Sequence, residues 1–192
     1  TRTAPPGERI GRRSRYSCIV LASGKLETKR HLILQETHML TLVQPDSTEL
    51  WDISRRLVEE YAASLGIDLG FQGFDHELDH LASEYGPPDG AFLLARQAGA
   101  FAGCGGLRRF SQSACEMKRL YVLPAHQHRG IGRMIADALI NRARNLGYKS
   151  ILLDTLPSMT DAQALYMSLG FEPVTEYRFN PVPGTIFLKL EL

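Results

Sequence analysis

The chain has 192 residues, of which 44% are hydrophobic and 22% charged, and its formal net charge is +1 at pH 7. A chain of this length suits one domain with a core of ordinary size. Its apolar runs fall well short of the ~20 residues of a membrane-spanning helix, and we find no convincing signal peptide. Cys18, Cys104 and Cys115 are too few and too scattered for a disulfide framework or a zinc site. We therefore expect a cytoplasmic protein that neither associates with a membrane nor binds a metal.

Positive charge is concentrated at the start of the sequence. Residues 1–38 carry eight lysines and arginines against three acidic residues, whereas the rest of the chain is mildly acidic. Such a basic tail could tether a nucleic acid. However, it lacks the interleaved aromatic residues of a single-strand binder, and its composition is typical of a disordered arm. We expect a partly disordered extension over residues 1–38, one domain over residues 39–192, and no nucleic-acid partner.

The first half of the domain is predicted to contain one strand and two helices. A short strand covers residues 41–44. Asp46 has a glutamate three positions later, which is a helix-start signature, and apolar residues then recur at helical spacing up to Gly66. A more polar helix is predicted over residues 75–85.

The second half alternates between strands and helices. Strands are predicted at residues 91–96, 101–110, 114–123, 151–154, 172–178 and 185–191. A strongly amphipathic helix covers residues 131–146, and another begins at residue 160. Because a helix joins them, the strands near 116–123 and 150–155 form a crossover unit and should be parallel. We predict an α/β fold whose mixed, mostly antiparallel sheet of six or seven strands is flanked by about four helices.

A glycine-rich segment lies between a predicted strand and the strongest helix. Residues 127–132 read Gln-His-Arg-Gly-Ile-Gly. Glycines there let the backbone turn tightly and approach a ligand closely. The first N–H groups of a helix have no partner within it, and the helix dipole favours negative charge at this end. With Arg129 and Arg133 nearby, the segment predicts a site for a phosphate or diphosphate.

Other interpretations of this glycine pattern remain open from the residues alone. It could be a turn that merely starts a helix. It is not a Walker loop, since no Gly-Lys-Ser/Thr follows. The dinucleotide fingerprint fails because Ile135 stands where a third glycine is needed.

Three segments together carry a more specific signal than the glycine loop alone. Residues 127–132 resemble the Gln/Arg-x-x-Gly-x-Gly/Ala diphosphate loop of the GNAT superfamily of N-acetyltransferases. Leu-Tyr-Val at residues 120–122 resembles the strand before that loop, and residues 162–171 resemble the family's later helix. The likeness covers roughly residues 40–192. It implies the GNAT fold and transfer of an acetyl group from acetyl-CoA to a primary amine.

The resemblance also implies roles for individual residues. The backbone of residues 120–122 would hold the acetyl carbonyl and the pantetheine arm, and the loop amides would bind the diphosphate. The expected acetyl-CoA contacts are Leu120, Tyr121, Val122, Gln127, His128, Arg129, Gly130, Ile131, Gly132 and Arg133. Tyr166 would protonate or hydrogen-bond the departing thiolate, with a core aromatic residue as the alternative. Many family members have an asparagine where this chain has Met159, which weakens one coenzyme contact.

Glu116 is the predicted general base. Strand alternation would place residues 116, 118, 120 and 122 on one face. Some family members use a glutamate at this position to deprotonate the amine, usually through water, and a closing cleft can raise the pKa of such a carboxylate. The alternative is an exposed strand residue paired with Lys118 or Arg119.

The sequence determines the acceptor less well. We expect a small-molecule amine or an amino acid. Asp75, Glu77 and Asp79 could attract a cationic amine or simply form a solvated helix face, and Arg178 could hold a carboxylate. Residues 76–80 read His-Glu-Leu-Asp-His and fit the His-Glu-x-x-His pattern of zinc hydrolases. They lack a third metal ligand, and we interpret the match as chance.

Alternatives to this reading concern function and assembly. A non-catalytic acyl-CoA-binding sensor would have the same loop, and a protein or peptide could replace the small acceptor. In the family, terminal strands of this kind often mediate dimers, so the chain could form a homodimer.

Overall fold

The computed structural model describes residues 40–192, so the predictions for residues 1–38 lie outside the described part of the chain. The described residues form seven strands and five α-helices, one helix more than predicted. None of these helices combines the length and the apolarity that a membrane span requires.

The first helix, α1 (Thr48–Leu65), is capped at both ends. Its N-cap is Ser47, whose Oγ accepts a hydrogen bond from the Leu50 N–H at 3.4 Å, so the predicted start at Asp46 is one residue early. The helix ends as predicted at Gly66, whose φ of 64° lies in the left-handed region that glycine tolerates.

The helix predicted over residues 75–85 is divided into two. α2 (Phe74–Asp79) and α3 (Leu81–Tyr85) are separated at His80, whose φ of −125° interrupts the helical backbone. A single 3-10 turn, Gly70–Gln72, precedes α2. The break explains why the structure has five helices.

One mixed sheet of seven strands forms the centre of the domain, in the order β1-β2-β3-β4-β5-β7-β6. The strands are β1 (Leu40–Val43), β2 (Ala91–Gln97), β3 (Ala100–Arg109), β4 (Ala114–Val122), β5 (Ser150–Thr155), β6 (Glu172–Pro173) and β7 (Ile186–Glu191). The β4–β5 pair is parallel and the other pairs are antiparallel, which confirms the predicted sheet. Helix α4 (Ile131–Asn145) makes the crossover between the parallel strands.

Helices cover both faces of the sheet. α4 and α5 (Thr160–Ser168) pack on one face, and α1 to α3 pack on the other, each over its own hydrophobic cluster. β3 approaches α4 closely at Gly105, where a Cβ atom would lie 2.8 Å from Ile135 Cγ2. The absence of a side chain at Gly105 therefore lets α4 pack closely on β3.

The terminal strands differ from the prediction. β6 has two residues, whereas the sequence predicted a strand over residues 172–178. Val174 still donates its N–H to the Phe187 carbonyl at 2.9 Å, but the chain then leaves the sheet as a loop over residues 174–185. Polar side chains of this loop bond to β4 and β5 instead of extending the ladder.

Candidate active site

Strands β4 and β5 are paired only at their start. Their parallel register runs from Ala114↔Ser150 to Glu116↔Leu152, and within residues 40–192 no further pair joins them. Beyond that point the strands diverge and leave a fork in the middle of the sheet. Backbone groups along the inner edges of the fork have no strand partner, so a ligand can satisfy them.

A bulge in β4 changes the direction of its side chains. Opposite β3 the register passes from Tyr121↔Cys104 to Lys118↔Gly106, which leaves one extra residue on β4. The irregularity includes Arg119, whose φ of 58° is unusual for a residue other than glycine.

The bulge reverses the alternation along the strand. Leu120 and Val122 pack in the core with α4, whereas Tyr121 packs in the core with α1. Lys118 lies on the α1 side as well, since its Nζ donates to Gln72 Oε1 at 3.0 Å. The prediction that the even-numbered residues of β4 share one face is therefore wrong, because the extra residue shifts the period.

The main chain of Val122 faces the fork. The Leu123 N–H donates to the Ala102 carbonyl at 2.9 Å, so Leu123 and the facing Ala102 form a hydrogen-bonded pair of the ladder. Hydrogen-bonded and non-hydrogen-bonded pairs alternate along an antiparallel ladder, so the next pair, Val122 and Gly103, is not hydrogen-bonded. The Val122 N–H therefore points away from β3, to the open edge of β4. The Val122 carbonyl accepts a hydrogen bond from Gln127 Nε2 at 3.1 Å, which ties the glycine loop to the strand.

The loop before α4 presents main-chain donors at the mouth of the fork. His128 and Gly130 have positive φ angles of 57° and 80°, and Gly130 is the N-cap of α4. The first helical bond runs from the Met134 N–H to the Gly130 carbonyl at 3.0 Å, so the N–H groups of residues 131–133 have no partner within the helix. These free donors and the helix dipole have the geometry and charge that suit an anion, so the site predicted from the sequence stays a prediction with its donors in place.

A groove of about 570 Å³ runs between this loop and α5. Its walls include nine of the ten predicted coenzyme contacts: Leu120, Tyr121, Val122, Gln127, His128, Gly130, Ile131, Gly132 and Arg133. Arg129 does not line it. Arg133 is partly engaged elsewhere, because its Nη1 donates to Ser168 Oγ at 2.8 Å. The structure thus gathers these residues at one groove, while their contacts with acetyl-CoA remain predictions.

A smaller, inner pocket adjoins the groove. The two cavities share Tyr61, Leu65, Leu120 and Met159 in their walls. The inner pocket has a volume of only about 40 Å³, so it admits a compact chemical group. Besides Tyr61 and Tyr166, its polar residues are Gln72, Lys118, Arg119, Asp154, Thr155 and Asn180.

Tyr166 lies in the wall of the inner pocket. The residue is 7% exposed, and burial raises the pKa of its phenol above the ordinary value of 10. Its phenol makes no hydrogen bond to any residue between 40 and 192. Tyr166 is therefore a protonated donor beside the cavity at neutral pH, as the predicted role near the thiolate requires.

Glu116 lines neither cavity. Its carboxylate is 1% exposed and accepts hydrogen bonds from Arg178 Nη1 at 2.6 and 2.8 Å, Arg108 Nε at 3.1 Å and the Tyr177 phenol at 3.1 Å. Burial alone would raise the pKa of Glu116, but the charges of Lys118 and the two arginines lower it below the ordinary 4.5. A weakly basic carboxylate with four donated hydrogen bonds is a poor general base, so these contacts argue against that predicted role. The alternative of an exposed residue is wrong.

Glu77 is buried as well. Its oxygens accept hydrogen bonds from Arg119 Nε at 2.6 Å and Nη2 at 2.7 Å, and from the Tyr85 phenol at 2.7 Å. Burial alone would raise the pKa of Glu77, but Arg119 lowers it to about 2. This ion pair holds α2 against the bulge of β4. Glu77 therefore belongs neither to a solvated helix face nor to a surface that attracts an amine.

His76 in α2 and His80, the C-cap of that helix, stack on each other. The ring centroids of His76 and His80 are 4.1 Å apart. Across residues 40–192, no three His, Cys, Asp or Glu side chains come together in a way that could hold a metal ion.

Lys118 and Asp154 meet across the fork, which the sequence analysis missed. Lys118 Nζ on β4 and Asp154 Oδ1 on β5 are 3.9 Å apart, and Asp154 Oδ2 accepts a hydrogen bond from Asn180 Nδ2 at 2.8 Å. The sequence did offer a signal for this contact, because Lys118 and Asp154 carry opposite charges on two strands that were predicted to be parallel neighbours. Arg178, which was one possible partner for a substrate carboxylate, pairs with Glu116.

Comparison with known proteins identifies the family. The model of the acetyltransferase (GNAT) family matches residues 52–171, more than half of the chain. An uncharacterized N-acetyltransferase of Schizosaccharomyces pombe is 39% identical over 143 residues, which cover 73% of this chain and 88% of that protein.

Solved structures share the same architecture. An acetyltransferase from Streptococcus agalactiae has a TM-score of 0.66 at 18% identity, over 80% of this chain and 98% of that one. The Salmonella typhimurium protein yncA, solved with its cofactor acetyl-CoA, has a TM-score of 0.55 at 21% identity, over 79% and 93% of the two chains. At these identities the two structures establish the fold alone. With the family match and the S. pombe relative, the chain belongs to the GNAT family of acetyltransferases.

Proposed function

We propose that this protein transfers an acetyl group from acetyl-CoA directly to the primary amine of a small molecule or amino acid. The observation that carries the proposal is the fork between β4 and β5. It brings together a helix end with free N–H donors, an open strand edge and a small polar pocket that shares lining residues with the groove. Direct transfer needs these three parts side by side, since both substrates must be held together.

The groove has the donors that acetyl-CoA requires. The free N–H groups of residues 131–133 and the α4 dipole suit the diphosphate. The open edge of β4 suits the amide groups of the pantetheine arm, which would pair with it as an additional strand does. The thioester end would then reach Tyr166, where the groove meets the inner pocket.

Residues around the junction supply the chemistry of the transfer. When bound, acetyl-CoA provides an activated acetyl thioester for attack by a neutral amine. The Val122 N–H at the open edge stabilises negative charge that develops on the carbonyl oxygen. The attacking nitrogen forms the amide bond as the carbon–sulfur bond breaks, and its second proton passes to the departing thiolate, to which Tyr166 donates a hydrogen bond. Because burial raises the pKa of Tyr166, its phenol acts as a donor and keeps its proton.

A base is also required, because an amine with a lysine-like pKa of ~10 is mostly protonated at neutral pH. We assign this role to Asp154 in preference to Glu116. Asp154 lines the inner pocket and its Oδ1 has no hydrogen bond from the described residues, whereas Glu116 is saturated by arginines. Asp154 takes the ammonium proton directly or through one water molecule.

Calorimetry and a thiol-release assay test the proposed function together. We expect CoA to bind the purified protein and acetyl-CoA to release free thiol when amines and amino acids are supplied. If folded protein does not bind CoA, the proposal fails. If it binds CoA but a broad acceptor panel releases no thiol, the protein is a sensor of acyl-CoA.

A further inference from the structure

Lys118 is a buried cation with unused hydrogen-bonding capacity. Its side chain is 4% exposed, and among the described residues its ammonium has one hydrogen-bond acceptor, Gln72 Oε1 at 3.0 Å. The nearest carboxylate oxygens, on Glu116 and Asp154, are both 3.9 Å away. An ammonium group carries three donors, and buried donors normally find partners. Two donors of Lys118 therefore remain for a ligand in the pocket that it lines.

Asp154 offers the opposite charge on the facing strand. Its Oδ2 is occupied by Asn180, but its Oδ1 faces Lys118 without a direct hydrogen bond. The buried hydroxyl of Thr155, the next residue, also has no partner within the described part of the chain. Arg119, the other cation that lines the inner pocket, is paired with Glu77, so at the polar end of this pocket Lys118 and Asp154 are the one cation and the one anion, among residues 40–192, that are incompletely satisfied.

We infer that this end of the inner pocket binds the zwitterionic head of an α-amino acid, with its carboxylate on Lys118 and its amino group on Asp154. The inference rests on the proposed function, because it identifies the acceptor of that same site. An α-amino acid carries its two charges on one carbon, so it can close a ring of four alternating charges with Lys118 and Asp154. A plain amine would leave the Lys118 donors unsatisfied, and a plain carboxylate would leave Asp154 unpaired.

The apolar part of the pocket lining indicates what kind of side chain the amino acid carries. It includes residues of α1 and of the segment that follows α1: Tyr61, Leu65, Ile67, Leu69 and Phe71. These residues offer no charge to pair with a second ionic group. The favoured acceptors are therefore amino acids with uncharged, apolar side chains, which extend from the small inner pocket past Tyr61 and Leu65 into the larger groove that these two residues also line.

Matched acceptors test the inference without any mutation. Thiol release would be measured with leucine, methionine and phenylalanine, with their amides, and with the amines that lack the carboxyl group. We expect kcat/KM for at least one amino acid to exceed that of its amide and its amine by about 10-fold or more. Equal or better turnover of every amide and amine would overturn the inference while leaving acetyl transfer itself established.

A variant links this preference to the lysine. Lys118→Met retains the length of the side chain and removes its charge, and we expect it to cut the preference for the amino acid by about 10- to 100-fold with unchanged CoA affinity. Lys149→Met, at an exposed lysine, is the matched control. An undiminished preference in K118M would overturn the inference.

Equilibrium binding covers the case in which no thiol is released. Calorimetric titration of the same three amino acids into the CoA complex should show binding to the wild type that weakens by about 10-fold or more in K118M. Absence of binding by all three amino acids would overturn the inference independently of turnover.

Discussion

Arg178 Nη1 lies 2.6 Å from one carboxylate oxygen of Glu116 and 2.8 Å from the other. This contact ties the loop of residues 174–185 to the centre of the sheet. Asn180, two residues later, is bonded to Asp154, and between them Phe179 is 72% exposed. The carboxylate predicted to be a base therefore anchors the loop that borders the inner pocket.

Removing the charge of Glu116 should destabilise the fold. Glu116→Gln leaves Arg178 and Arg108 without their common anion, and breaking a buried ion pair from one side costs about 3 kcal/mol or more. For a chain of this size the melting temperature should fall by roughly 6–12 °C. Differential scanning calorimetry measures the change.

An exposed ion pair provides the comparison for this variant. Glu59 pairs with Arg55 at 3.1 Å, and both side chains are over 40% exposed, so Glu59→Gln should have little effect on melting. If Glu116→Gln melted like the wild type but lost catalysis by two orders of magnitude, Glu116 and not Asp154 would be the base.

Acid should weaken the anchor between α2 and β4. Arg119 lowers the pKa of Glu77 to about 2 in the folded protein, from an ordinary value of 4.5. The folded state therefore binds this proton more weakly than the unfolded state. Its stabilisation, about 3 kcal/mol, is complete above pH 4.5 and is lost as the pH falls toward 2.

Urea unfolding at a series of pH values tests this linkage. The difference in unfolding free energy between wild type and Glu77→Gln should shrink steadily as the pH falls from 5 to 3. Asp79→Asn on the same helix, where the side chain is 64% exposed, should give a small difference that changes little. A constant gap between wild type and E77Q would contradict the lowered pKa.

Local patterns were sufficient to predict much of this fold. The glycine loop, the amphipathic α4 and the crossover to β5 are encoded in neighbouring residues, because helix periodicity and turn chemistry are short-range properties. Those elements are enough to predict an anion site at residues 127–133 without any tertiary information. The end of α1 at Gly66 could also be predicted from local sequence, because glycine tolerates the left-handed backbone conformation that ends the helix.

Features that depend on distant residues could not be predicted in this way. Arginine has no intrinsic preference for positive φ, so no local sequence signal marks Arg119 as part of a bulge. The positive φ of Arg119 occurs together with the pairing of its guanidinium with Glu77, which is 42 residues away in the sequence. Residues 172–178 have the composition of a strand, but contacts of Arg178 and Asn180 with the sheet draw the segment into a loop.

Loss of the Tyr166 hydroxyl should slow the transfer and leave coenzyme binding intact. A donor that acts on the departing thiolate contributes only as the carbon–sulfur bond breaks, so Tyr166→Phe should lower kcat by roughly 10- to 100-fold. Because its pKa is raised, the phenol stays protonated through neutral pH, and the shape of the pH–rate profile below pH 9 should not change.

Steady-state kinetics with a second tyrosine variant controls for general effects. The Tyr148 phenol donates to the Asp89 carbonyl at 2.7 Å and lines neither cavity, so Tyr148→Phe should retain its kcat. A Tyr166→Phe enzyme with wild-type kcat would make Tyr166 a packing residue of the core.

A charge placed at the start of α4 should separate helix stability from coenzyme binding. A Cβ at Gly132 would lie 3.7 Å from both Leu165 Cδ2 and Val122 Cγ2, so the site accepts a side chain. Aspartate near a helix N-terminus is favourable, so Gly132→Asp should fold at least as well as Gly132→Asn, which has the same shape without the charge. If the coenzyme diphosphate occupies this helix end, the aspartate repels it, and the Kd for CoA should rise roughly tenfold more in G132D than in G132N.

Calorimetry at low and high salt measures the two CoA affinities. The difference in Kd between G132D and G132N should narrow at high salt, because ionic strength screens the repulsion. Equal CoA affinities for the two variants would place the diphosphate elsewhere.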